Sequence, residues 1–169
     1  MSIWQKFTTP GTGSGSSATL APDSAHNDSH PVELHEDELI TPENVSAQLI
    51  KSVFDGAYME ATIDGDGDVL IRDAVKVFIR VGEKKDRLRM FCLFGFKSNA
   101  SNDAQLRCAN LINSEYIVVT ASAQGGKLFF RYDVLLGGGI PKRYLVQALK
   151  RFASIPQEAA ADHGRDILE

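Results

Sequence analysis

The chain has 169 residues, 43% hydrophobic and 24% charged, which points to one soluble globular domain with extensions rather than two domains. Its net charge of -4 is unevenly placed: residues 1–40 hold Lys6 against Asp23, Asp28, Glu33, Glu36, Asp37 and Glu38, leaving 17 of 18 basic and 16 of 22 acidic residues for the remainder. A near-neutral domain with an acidic arm argues against general nucleic-acid affinity, which needs a basic surface, and no stretch approaches the ~20 apolar residues that span a membrane.

The N-terminus MSIWQKFTTPG has no apolar run of signal-peptide length, so a cytoplasmic protein is expected. Residues 1–40 read as a disordered acidic arm. Gly11, Gly13 and Gly15 alternate with Thr and Ser, Pro10, Pro22 and Pro31 break any periodicity, and apolar side chains are sparse. Ile3, Trp4 and Phe7 are the exception. They fit either a loose terminus or a short motif that docks on a partner or on the domain. His26, His30 and His35 fix no ligand geometry, so no metal site is expected there.

The folded domain is expected over residues 41–156. Thr41 is placed to cap a helix with Pro42 at its first position, and Val45, Leu49, Ile50, Val53 and Phe54 form its apolar stripe. Tyr58–Ile63 and Val69–Arg72 read as a hairpin around Asp64–Asp68, DGDGD. Asp64, Asp66 and Asp68 match the first ligand positions of a calcium loop, but Val69 and Val75 stand where it needs glycine and glutamate. A turn is therefore the better reading. Val75–Val81 alternates as a strand, and Arg87–Phe96 follows, alternating first and then apolar on both sides. That pattern predicts cover on both faces towards its end, from helices or another subunit. Gly95 marks a possible bend, and Arg87 and Arg89 are expected to face solvent.

A helix is expected from Ser101 or Asn102, with Ala104, Cys108, Leu111 and Ile112 on one face. Cys92 and Cys108 read as two buried thiols of a reducing compartment. Asn110 and Asn113 are assigned to satisfying nearby backbone groups. Ile117–Ser122 and the long strand after Gly126 form a second hairpin. In the long strand Leu128, Phe130, Tyr132, Val134 and Leu136 share one face. Gly137–Gly139 breaks the ladder, and Pro141 opens a helix with Tyr144, Leu145, Ala148, Leu149, Phe152 and Ile155 inward. Pro156 is expected to end or kink it, leaving residues 157–169 as a short frayed helix or tail.

The chemistry is thin. GGGIPK lacks the ending of a phosphate loop, no serine sits in a nucleophile elbow, and all four histidines fall in the presumptive tails. No cofactor, metal or catalytic residue is assigned. Asp133 and Glu115 are the carboxylates to inspect for a catalytic pair, with Asp133 more simply a surface strand residue.

The segments TPENVSAQLI, DGDGDV, ANLINSEY and GGKLFFRYDVLLGGGIPKRYLVQAL together resemble the YbjN-like family, whose domain is described as a "putative bacterial sensory transduction regulator"; the resemblance covers residues 41–155. It implies an α+β fold like that of type III secretion chaperones: an antiparallel sheet with helices packed on it, in the order α-β-β-β-β-α-β-β-α. It also implies a non-enzymatic regulatory or chaperone-like protein, forming homodimers and binding a protein or peptide client, with no nucleic acid or membrane. Candidate partner-binding positions are Ile3, Trp4 and Phe7 in the arm and Phe91, Leu93, Phe129 and Leu135 in the strands. Two alternatives are a dedicated type III secretion chaperone and a small-ligand sensor or enzyme with a pocket beside the glycine hinge.

Overall fold

The structure is a computed structural model and describes residues 39–169. After a short strand β1 (Leu39–Ile40) comes helix α1 (Ala47–Gly56), then strands β2 (Ala61–Ile63), β3 (Val69–Arg72), β4 (Lys76–Val81) and β5 (Arg87–Gly95). Helix α2 (Asn102–Glu115) leads to β6 (Thr120–Gln124) and β7 (Lys127–Leu135), and the short β8 (Ile140–Pro141) leads to α3 (Lys142–His163). Six strands form one antiparallel sheet in the order β2-β3-β4-β5-β7-β6. The expected α+β architecture is thus present, with β1 and β8 added as a separate two-stranded clip.

Period-two alternation sends every second residue to the helical side. Val69 and Ile71, Val77 and Ile79, Leu88, Met90 and Cys92, and Leu128, Phe130 and Val134 are all buried there. The helices meet them with Ile50, Val53 and Phe54, with Cys108 and Ile112, and with Leu145, Leu149 and Phe152. Each such aliphatic or aromatic side chain contributes about 1.5–3 kcal/mol of burial. At the far end of β5, Phe94 packs edge-on against Phe130 with ring centroids 5.6 Å apart.

Strand β2 starts at Ala61, not Tyr58, which lies at φ 59 and is exposed, and three further boundaries differ from those read in the sequence. Helix α1 starts at Ala47, not Pro42, because Ser46 supplies the cap, its side chain accepting from the Leu49 N–H at 3.1 Å. Thr41 instead turns the chain out of the clip: its N–H donates to Asn44 Oδ1 and the Asn44 amide donates to the Leu39 carbonyl. Strand β6 starts at Thr120, because Val118 lies at φ 80, outside the range a β-branched residue adopts in a strand, and Ile117 is left exposed.

The third difference is at the C-terminus. Pro156 lies inside α3, buried, and the helix runs on to His163 with Ala159 and Ala160 in the core. The chain then turns at Gly164, where an added Cβ would lie 2.3 Å from the Leu168 side chain. This close approach seats Leu168 against the sheet, bridged to Phe96. Residues 157–169 are therefore packed structure rather than a tail. The glycine stretch is a hinge as expected: Gly138 and Gly139 both lie at φ 79, and Gly139 faces the Thr41 and Leu39 side chains of the clip.

Candidate functional site

All three helices supply the buried side of the sheet. The residues of opposite parity, on its other side, are half-buried or exposed. Phe78 and Phe91 are register partners on β4 and β5, their rings stacked at 5.2 Å and 16° between planes. Leu93 lies directly opposite Phe129 of β7, and Leu135, 68% exposed, lies opposite Arg87. The structure thus brings Phe91, Leu93, Phe129 and Leu135 onto one open face. Ile3, Trp4 and Phe7 lie outside the described residues. Phe78 was missed because Val75–Val81 offered β-branched residues on its other side and drew attention there; its register partner shows its place.

The same face is ordered by ion pairs. Arg80 Nε and a terminal nitrogen donate to the two Asp68 oxygens at 2.8 and 2.6 Å. Arg89 does the same to Asp133 across β5 and β7 at 2.7 and 3.0 Å. Arg87 pairs with its neighbour Asp86 at 3.1 Å. Arg87 and Arg89 do lie on the solvent side as expected, but both are paired: strand register sets Asp133 opposite Arg89, and Arg87 takes its own neighbour Asp86. The Arg89 guanidinium holds the Asp133 carboxyl below its ordinary range. The Arg80 guanidinium also lies over the Phe91 ring, 5.4 Å from its centroid. Arg80, Arg87 and Arg89 line a hollow of about 380 Å³ with Lys84, Glu83 and Asp86.

Other candidates resolve differently. Asp133 and Glu115 form no pair: the first is held by Arg89, and the second bonds His163 Nε2 at 2.9 Å. That histidine corrects the expectation of a histidine-free domain, since α3 continues past Pro156 and carries it to α2. Beside it the Tyr116 hydroxyl donates to Asp162 at 2.6 Å, which pushes the phenol up to about 12. A hollow of about 420 Å³ does lie beside the hinge, lined by Tyr132, Asp133, Val134, Leu135, Ile140, Pro141 and Tyr144. Its carboxylate, Asp133, is tied to Arg89 and the rest of the lining is apolar or phenolic, which counts against a polar catalytic pocket there.

The DGDGD segment is a hairpin turn. Asp64 Oδ1 accepts from the Asp66 and Asp68 N–H groups at 3.0 Å, and Gly67 takes φ 83. The Asp68 carboxylate is engaged by Arg80. Asn113 has the structural role assigned to it: its amide donates to the Ala121 carbonyl at 2.9 Å and accepts from the Ala121 N–H at 2.7 Å. Cys92 and Cys108 are buried, and burial pushes the Cys92 thiol up to about 12.

An antiparallel sheet backed on one side by helices and open on the other, with aromatic and arginine side chains arrayed on that face, is the scaffold of a domain that presents a sheet surface. The chain belongs to the YbjN family, described as "putative bacterial sensory transduction regulator", which matches residues 46–162. Its fold is similar to the crystal structure of YbjN, "a putative transcription regulator from E. coli", at 13% identity and TM-score 0.60, covering 74% of this chain and 96% of that one. The HopA1–SchA chaperone–effector complex also matches, at 10% identity and TM-score 0.45, over 65% of this chain and 91% of that one. No curated protein matches the sequence. Among the described residues, no helix is long and apolar enough to cross a membrane.

Proposed function

We propose that this is a non-enzymatic, cytoplasmic regulatory or chaperone-like domain that binds a segment of a protein client on the open sheet face and acts as a homodimer. The observation that carries the reading is the grouping of Phe91, Leu93, Phe129 and Leu135, with Phe78, on a face no helix covers. Half-exposed apolar side chains in register along neighbouring strands can take the alternate side chains of an extended peptide. Membership of a family described as regulatory agrees with a binding role. Ile3, Trp4 and Phe7 are proposed as a second docking element in an acidic arm.

The test is affinity capture from the native organism with three baits: the full chain, the chain lacking residues 1–40, and Leu93→Glu. The expected result is a client held by the full chain and lost by Leu93→Glu, whose melting temperature serves as the folding control. Loss on truncation would assign part of the recognition to the arm. Equal capture by Leu93→Glu, or a strict monomer by light scattering that captures nothing, overturns the reading.

A further inference from the structure

The open face gathers cations that the rest of the domain leaves unpaired. Lys76 and Arg80 of β4, Arg87 and Arg89 of β5, and Lys127 and Arg131 of β7 all project to it, with Arg72 of β3 opposite Lys76. The acids among these seven cations are Asp68 and Asp133; Asp64, Asp66, Glu83 and Asp86 lie at one margin and Glu169 at the other, beside Gly95. Arg72, Lys76, Lys127 and Arg131 have no ion-pair partner among the described residues. The chain beyond residue 40 is close to neutral, so these four unpaired cations, and not a basic composition, distinguish the face.

We propose that the occupant of this face is an extended acidic peptide that presents carboxylate and apolar side chains in turn along one of its sides, in the spacing Glu-x-Leu-x-Glu; the inference rests on the reading that the face binds a peptide. Along β7 the open-face positions run Lys127, Phe129, Arg131, one residue in two, so cation and ring alternate every ~6.8 Å. An extended peptide presents every second residue to the same side at the same interval, so carboxylates four residues apart reach Lys127 and Arg131 while the apolar residue midway between them meets Phe129 and Leu93. Arg131 takes a carboxylate in bidentate geometry, as Arg89 already takes Asp133.

Two other occupants fit the same surface less well. A second copy packed through this face would bring the same unpaired cations, Arg72, Lys76, Lys127 and Arg131, from both sides with no added carboxylate to meet them. Single-stranded nucleic acid needs free aromatic faces for base stacking. Here Phe78 stacks on Phe91 and the Arg80 guanidinium lies over the same ring, so protein groups already occupy them.

The experiment is fluorescence anisotropy with the full chain and three labelled peptides of about twelve residues, at about 50 and about 300 mM salt. One repeats Glu-Ser-Leu-Ser, which sets glutamate and leucine in turn along one side, one has glutamine for glutamate, and one has lysine; a single-stranded oligothymidine is the fourth probe. The glutamate peptide is expected to bind at least ~10-fold tighter than the glutamine peptide at low salt, and to lose most of that margin at high salt. Arg131→Glu and Lys76→Glu are expected to erase the margin with an unchanged melting temperature. Equal binding of the glutamate and glutamine peptides would overturn the charge preference and leave peptide binding standing. Binding of no peptide would overturn both, and tighter binding of oligothymidine would reassign the face to nucleic acid.

Discussion

Arg80 and Arg89 are direct register partners on β4 and β5, two guanidinium groups side by side on the open face of the sheet. Like charges directly opposite one another destabilise a sheet. Here each is tied bidentately to its own carboxylate, Arg80 to Asp68 and Arg89 to Asp133, so the two like charges are flanked by a carboxylate on either side. The arrangement fixes both side chains against the strands and sets Arg80 over Phe91.

Asp133→Asn is expected to cost about 1 kcal/mol at neutral pH, measured by urea unfolding, since the pair is partly exposed. The folded Asp133 carboxyl lies below its ordinary value. Its contribution is therefore present above the unfolded value of about 3.9 and is lost as pH falls through the lower folded one. The wild-type and Asp133→Asn stabilities should converge in strong acid. A gap that stays constant with pH would show that the ion pair is not its source.

Asn113 takes the place of a neighbouring strand at the edge of the sheet. Its amide meets both backbone polar groups of Ala121 on the side of β6 that faces away from β7. Asn113→Ala leaves those groups without their partner and is expected to cost about 1–3 kcal/mol. The freed edge should also raise self-association, seen by light scattering near the melting temperature. A variant as stable and as monodisperse as the parent refutes this role.

The last five residues belong to the fold. Lys97 N–H donates to the Ile167 carbonyl at 2.8 Å, Glu169 N–H donates to the Gly95 carbonyl at 3.0 Å, and Leu168 is 8% exposed. Truncation after Gly164 removes both bonds and that burial, with an expected loss of about 2–4 kcal/mol in chemical denaturation. An unchanged midpoint would mean that the terminus only rests on the sheet.

Cys92 and Cys108 should be unreactive towards a thiol reagent at pH 8 in the native protein and fully reactive in denaturant. Burial keeps the Cys92 thiol near 12, so only about one molecule in ten thousand carries its thiolate at that pH. Reaction within seconds under native conditions would contradict the packing of both side chains beneath the sheet.

Much of the fold was legible from spacing. Leu128, Phe130 and Val134 alternate in the sequence and are buried together, and the Phe152 face of the last helix is the one that packs. Local rules failed where a distant segment intervened. Pro156 marks a helix end by its own chemistry, yet α3 continues because its second half is packed against the rest of the domain. Thr41–Pro42 is a good helix start, yet the chain before it is engaged by Ile140 and Pro141 in the clip.

The candidate surface divides in the same way. Phe91, Leu93, Phe129 and Leu135 could be singled out because strand periodicity, a property of neighbouring residues, sorts them from the core. That Phe78 stacks on Phe91, that Arg89 reaches Asp133, and that seven cations gather on one side came from strand order and register. Those are pairings between segments tens of residues apart. Spacing along the chain reports which side chains share a side of a strand, and only the folding of strands beside one another determines which charges meet.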